Sequence, residues 1–151
     1  MGLANYTELD LLTACIFIEG RGEPYEGQVA IGNVILNCTK YKMATPIKDH
    51  ILAPKQFSWT FSPKDPNFQL VNNIIQRTEP VPQSWEVAHK IADGLLSGQI
   101  GDNTSGSDHY CNVPLTFKLN GDKLPRWIEE ALRNGKKTCI IGCYTFFKLV
   151  G

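Results

Sequence analysis

The sequence has no excess of charge of either sign. Its 151 residues carry 15 Lys and Arg against 15 Asp and Glu, a formal net charge of zero. A chain that grips a polyanion through its phosphates needs a basic surplus, so nucleic acid is excluded as the expected partner. Long hydrophobic runs are missing as well. The longest, Leu11 to Ile18 broken by Thr13, is about eight residues where a bilayer span needs roughly twenty, so no membrane insertion is expected. The opening MGLANYTELDLL lacks a cationic stretch and a small-residue cleavage site, and the expectation is a chain made in the cytosol. There is no internal repeat and no long linker, so residues 1–151 are expected to form one domain. Hydrophobic residues make up 42% and charged residues 20%, the composition of a globular protein with a core.

Cysteine is present in an odd number. Cys15, Cys38, Cys111, Cys139 and Cys143 cannot all pair internally, and free thiols are expected rather than a disulfide framework. Cys15 and Cys38 lie in apolar helical patterns and are read as small core residues.

Hydrophobic periodicity predicts a mostly helical α+β protein with a small antiparallel sheet late in the chain. Thr7 to Ile18 is apolar nearly all round, a buried helix with Asn5 or Thr7 as N-cap. After Gly20-Arg21-Gly22, Glu23-Pro24 starts a second helix to about Tyr41, with Ile31, Val34, Ile35 and Cys38 as its stripe. Gly27 and Gly32 within it imply close helix contacts. Pro54, Pro63 and Pro66 limit residues 53–66 to a loop or short strand, and the period-two series Phe57, Trp59, Phe61 suits packing. Helices are predicted over Asn67–Gln76, Ser84–Ser97 and Pro125–Arg133. Residues 99–107 form a loop, and Thr138–Leu149 a strand or hairpin turning at Gly142.

Glu19 is the most informative single position. At 100° per residue it projects among Leu12, Cys15 and Ile16, so its carboxyl group is partly desolvated and its pKa raised. Such an acid suits protonation of a glycosidic oxygen. Geometry alone leaves a second reading open, a helix-terminal glutamate paired with Arg21.

Ile18-Glu19-Gly20-Arg21-Gly22-Glu23-Pro24-Tyr25-Glu26-Gly27-Gln28-Val29-Ala30, followed by Val34-Ile35-Leu36-Asn37, resembles the spore-cortex-lytic, or cell wall hydrolase, family, whose run reads E-A-R-G-E-P-Y-E-G-Q-V-A-V and then V-I-L-N-R. Gln56-Phe57-Ser58-Trp59 matches its Q-F-S-W stretch. Thr104, Gly106 and Tyr110 match a T-x-G-A-x-Y-Y segment, and Thr138, Ile141, Gly142, Phe146 and Phe147 match the closing T-x-x-I-G-x-H-x-F-Y. The resemblance implies a lysozyme-like fold and a muramidase-type lytic transglycosylase that cuts the MurNAc–GlcNAc bond of peptidoglycan glycan strands. It makes Glu19 the catalytic acid, with Gln56, Ser58, Trp59 and Tyr110 as substrate-binding groups. With no export signal expected, the chain further resembles a phage endolysin, which implies a monomer stored in the host cytoplasm and acting at the cell wall after release. Two departures stand out: Cys111 and Tyr144 occupy positions where the family commonly has histidine.

Rival carboxylates are Glu23, read as a cap on the second helix, Glu26, read as a solvated first-turn residue, and Asp108; any of them facing the bond would permit plain hydrolysis. His109 and Cys111 share strand parity, as do Cys139 and Cys143, which raises a zinc-dependent amidase or peptidase as a further rival. Their spacing is not the paired-ligand pattern, so no metal and no cofactor is expected. A wall-binding module without activity is a third alternative. His50, in a charged Lys-Asp-His turn, and His89, off its helix's apolar stripe, are given no chemical role.

Overall fold

A computed structural model describes residues 3–41, 46–53 and 56–150. The first helix, α1 (Glu8–Glu19), is capped by Thr7, whose hydroxyl accepts the Asp10 N–H at 3.0 Å. Leu11 through Phe17 are all buried, so α1 is the axis of the helical part. Each large apolar side chain removed from water there contributes about 1.5–3 kcal/mol. Around it lie α2 (Tyr25–Tyr41), α3 (Ile47–Leu52), α4 (Pro66–Ile75) and α5 (Gln83–Leu96), with α5 making the most extensive contact. Trp85, Ala88, Ile91, Ala92 and Leu95 form the buried face of α5, and Phe17 meets Trp85 edge-on. Gly32 marks a close approach between helices. A Cβ there would stand 2.4 Å from Leu95 Cδ1 and 3.0 Å from Ile16 Cδ1.

The helices match the sequence expectation to within a few residues. Two short ones, α3 and α6 (Val113–Leu119), do not appear in it. Nor does a strand form over Phe57–Phe61: residues Ser58–Thr60 make a 3₁₀ turn, which buries Phe57 and Trp59 and leaves Phe61, expected in the core, 55% exposed. Pro54 lies outside the described residues. No described helix is long and apolar enough to cross a membrane.

The late part is a three-stranded antiparallel sheet of β1 (His109–Cys111), β2 (Lys137–Ile141) and β3 (Tyr144–Phe147), in the order β1-β3-β2. Gly142, at φ 59°, makes the expected hairpin turn, and β2 carries an irregularity between Lys137 and Cys139. Strand alternation divides the sheet's two faces. Phe146 packs on Ala30, Val34 and Cys38 of α2, while Phe147 packs on Ile128 and Ala131 of α7 (Arg126–Arg133). The α+β class with a small late sheet is thus the observed one.

A polar loop fixes β1 against α2. Asp102 accepts hydrogen bonds from Thr104 N, Thr104 Oγ1, Gly106 N and Asn37 Nδ2 at 2.6–3.0 Å. Asn37, buried in α2, also donates to Ser107 O at 2.9 Å, and Asn33 Nδ2 reaches Gly101 O at 3.1 Å. Burial alone would raise the Asp102 pKa, but these donors outweigh it and hold the carboxyl below its ordinary 3.8.

Candidate active site

Between α2, α3 and the β1 edge lies a cleft of about 260 Å³, lined by Glu19, His50, Gln56, Phe57, Asp108, His109, Tyr110 and neighbouring apolar groups of α2. Glu19 is the last residue of α1, and Gly20 ends the helix with its N–H on Ile16 O. A Cβ at position 20 would stand 2.6 Å from that carbonyl oxygen, so glycine suits the chain reversal that aims Glu19 at the cleft. Burial raises the Glu19 pKa above its ordinary 4.5, partly offset by the Arg21 charge. The carbonyl end of α1 acts in the same direction as burial, since it disfavours an anion.

Arg21 forms no ion pair with Glu19 among the described residues. Its guanidinium donates to Asn67 Oδ1 and lies 5.8 Å from the Phe17 ring centroid. The pairing left open by the sequence is therefore replaced by a distant partial compensation.

Tyr110 and Tyr144 meet edge-on with ring centroids 5.1 Å apart. Burial raises the pKa of both, and the Glu19 charge raises it further, so both phenols stay protonated. The Tyr144 hydroxyl points at the Glu19 carbonyl over a long 3.5 Å. Of the other binding residues drawn from the sequence, Gln56 is exposed and lines the cleft; Ser58 is exposed outside its lining. Trp59 is a correction. It is 1% exposed inside the helical core and offers no face to a sugar, and its Nε1–H has no partner among the described residues.

Two of the three rival carboxylates, Glu23 and Asp108, are occupied. Glu23 Oε1 accepts the Cys143 N–H at 3.0 Å and ties the β2–β3 turn to the start of α2. Glu26 is exposed in the first turn of α2, as expected. Asp108 is buried, with Oδ1 on His109 Nδ1 at 2.8 Å and on Leu149 N at 2.9 Å, and Oδ2 on Val150 N at 2.9 Å. Burial pushes its pKa up, but these donors together bring it below 3.8.

The proposed zinc ligands are held apart by topology. His109 and Cys111 are on β1 and Cys139 on β2, with β3 between them, and no cluster of three or more such ligands occurs among the described residues. The five cysteines form no disulfide with one another. The two positions that depart from the family pattern also do not face each other. Cys111 packs beside Ile128 and Phe147, whereas Tyr144 turns toward Tyr110 on the opposite side of the sheet.

His50 is the residue that sequence reasoning missed. It is buried in α3, lines the cleft, and meets Phe57 edge-on at 6.3 Å. A six-residue helix carries no detectable period, so no sequence signal marked it. Tyr144 was visible only as a departure from the family pattern.

Fold and site together define an α+β protein with a partly buried acid at the mouth of a cleft between helices and sheet. The chain belongs to the cell wall hydrolase family, whose model it matches over residues 22–147. Its fold is similar to the catalytic domain of the Bacillus cereus SleB protein (TM-score 0.61, 23% identity, 97% of this chain and 95% of that one). It is also similar to the catalytic domain of the germination-specific lytic transglycosylase SleB from Bacillus anthracis (TM-score 0.60, 23% identity, 95% and 98%). No curated protein matches it.

Proposed function

We propose that residues 1–151 are a single peptidoglycan-cleaving domain, a lytic transglycosylase acting on the MurNAc–GlcNAc bond with Glu19 as its one catalytic carboxyl. The observation that carries this is the placement of Glu19: a carboxyl with a raised pKa facing a cleft, while Glu23 and the cleft's Asp108 are engaged by backbone N–H groups. Protonated Glu19 gives its proton to the glycosidic oxygen as the C1–O bond breaks. The substrate's own N-acetyl oxygen then covers the electron-poor C1, since Asp108, the other carboxylate lining the cleft, is held by His109, Leu149 and Val150. Glu19, now ionised, takes the proton of the sugar's C6 hydroxyl. O6 closes on C1 and the acetamido oxygen leaves, giving a 1,6-anhydro ring without consuming water.

Gln56 suits the hydroxyls and N-acetyl groups of a glycan strand, and Tyr110 stands beside the acid as a neutral donor. Mass spectrometry of muropeptides released from purified wall tests the reading. Anhydro-muramic ends, one water lighter than reducing ends, are expected, and Glu19→Gln should abolish their release. Reducing muramic ends would assign hydrolysis instead; cut amide bonds or full activity of Glu19→Gln would reject the assignment.

A lysis role, with a monomer held in the host cytoplasm until the membrane is breached, is proposed alongside and is supported by the resemblance alone. Cells expressing the chain should lyse when their membrane is permeabilised and not before.

A further inference from the structure

We propose that Trp127 is a saccharide-stacking platform, a glycan-binding subsite reached from the Glu19 cleft past His109. It rests on the glycan-cleaving reading above. Two of the three tryptophans, Trp59 and Trp85, are 1% and 5% exposed, while Trp127, near the start of α7, is 38% exposed. A pyranose presents a face of C–H groups that packs on the electron-rich face of an indole, leaving its hydroxyls in water.

Among the described residues, Trp127 meets the cleft only through His109, because its other ring partner, Phe147, is on the sheet face turned away from Tyr110. Its ring centroid lies 5.6 Å from that of His109, a cleft-lining residue, with the planes at 48°. It lies 5.6 Å from the fully buried Phe147, edge-on at 76°. His109 is itself fixed through Nδ1 to Asp108, which is clamped by the backbone N–H groups of Leu149 and Val150. The indole thus leans on a core ring and on an anchored imidazole, so little side-chain freedom remains to be lost when a ligand arrives. This assigns the aromatic platform to the α7 face of the sheet, reached around the β1 edge at His109, in place of Trp59.

Glu19→Gln, which should bind without cutting, is the protein for the test, with peptidoglycan glycan strands freed of stem peptides as the probe. N-bromosuccinimide oxidises exposed indoles first, and peptide mass mapping locates the product. Saturating strands should slow oxidation of Trp127 by about fivefold or more. With Glu19 intact, Trp127→Ala should raise KM on soluble strands roughly tenfold with a much smaller fall in kcat, and Trp127→Phe should recover most of the loss. An unprotected Trp127 in strand-saturated protein, or an unchanged KM in folded Trp127→Ala, overturns the subsite. The protection measurement needs no Trp127 variant and so stands if that variant misfolds. Failure of the catalytic reading looks different: Glu19→Gln would still cut the strands while Trp127 remained protected. Strands that do not bind the folded protein at all overturn both.

Discussion

Glu19 is held where ionisation is disfavoured, and the consequence for folding has a definite sign. Its folded pKa lies above the ordinary 4.5, so stability is fully present below that value and is lost as pH rises through the folded pKa. Glu19→Gln cannot ionise. It should melt higher than the native protein at about pH 7 and alongside it at about pH 3, by calorimetry, while losing about 100-fold or more of its activity. A lower melting temperature at neutral pH would show that the carboxylate is not strained in place. Native activity should fall as pH rises through that same pKa, because the acid must carry its proton. Asp108 has the opposite sign: its pKa is depressed, so its stability is present above 3.8 and lost as pH falls through the folded value. Asp108→Ala leaves the backbone donors of Leu149 and Val150 without their acceptor and should cost about 2–3 kcal/mol at neutral pH in urea titration, shrinking in acid. Glu19 stood out in the sequence because it ends a recognisably long helix and opens the run that resembles the family, although helix geometry alone left two readings of it. The burial of Trp59 was not legible, because whether it lies inside or outside depends on a 3₁₀ turn that three residues cannot announce.

Among the elements, the long helices were legible because their apolar stripes repeat over several turns and their ends carry caps, as at Thr7. α3 and α6 span fewer than two turns, too few for a 3.6-residue period to register, and with α3 went His50. The polar loop from Asp102 to Ser107 looked like plain connection, since composition does not reveal that Asn33 and Asn37 rise from α2 to meet it. Gly32 was read correctly as a close contact. Gly32→Val would drive methyl groups into Leu95 and Ile16 and should cost about 1–3 kcal/mol, seen as a lower urea midpoint with an unchanged slope. A fully tolerated valine would mean that α1, α2 and α5 part more easily than their packing indicates.

Across the whole molecule, the cleft is a seam between parts of the chain that lie far apart in sequence. Glu23 meets Cys143 across 120 positions, and Tyr144 approaches Glu19 across 125. The helices gain their hydrogen bonds locally, and β2 and β3 join through a two-residue turn. Nothing local brings the acid to the sheet. Contacts of such separation form slowly, because loop closure opposes them until the rest of the structure rewards it. During refolding from denaturant, far-UV ellipticity should therefore recover first and wall-cleaving activity trail behind it. Equal rates for the two signals would mean that the sheet docks in the same step that builds the helices.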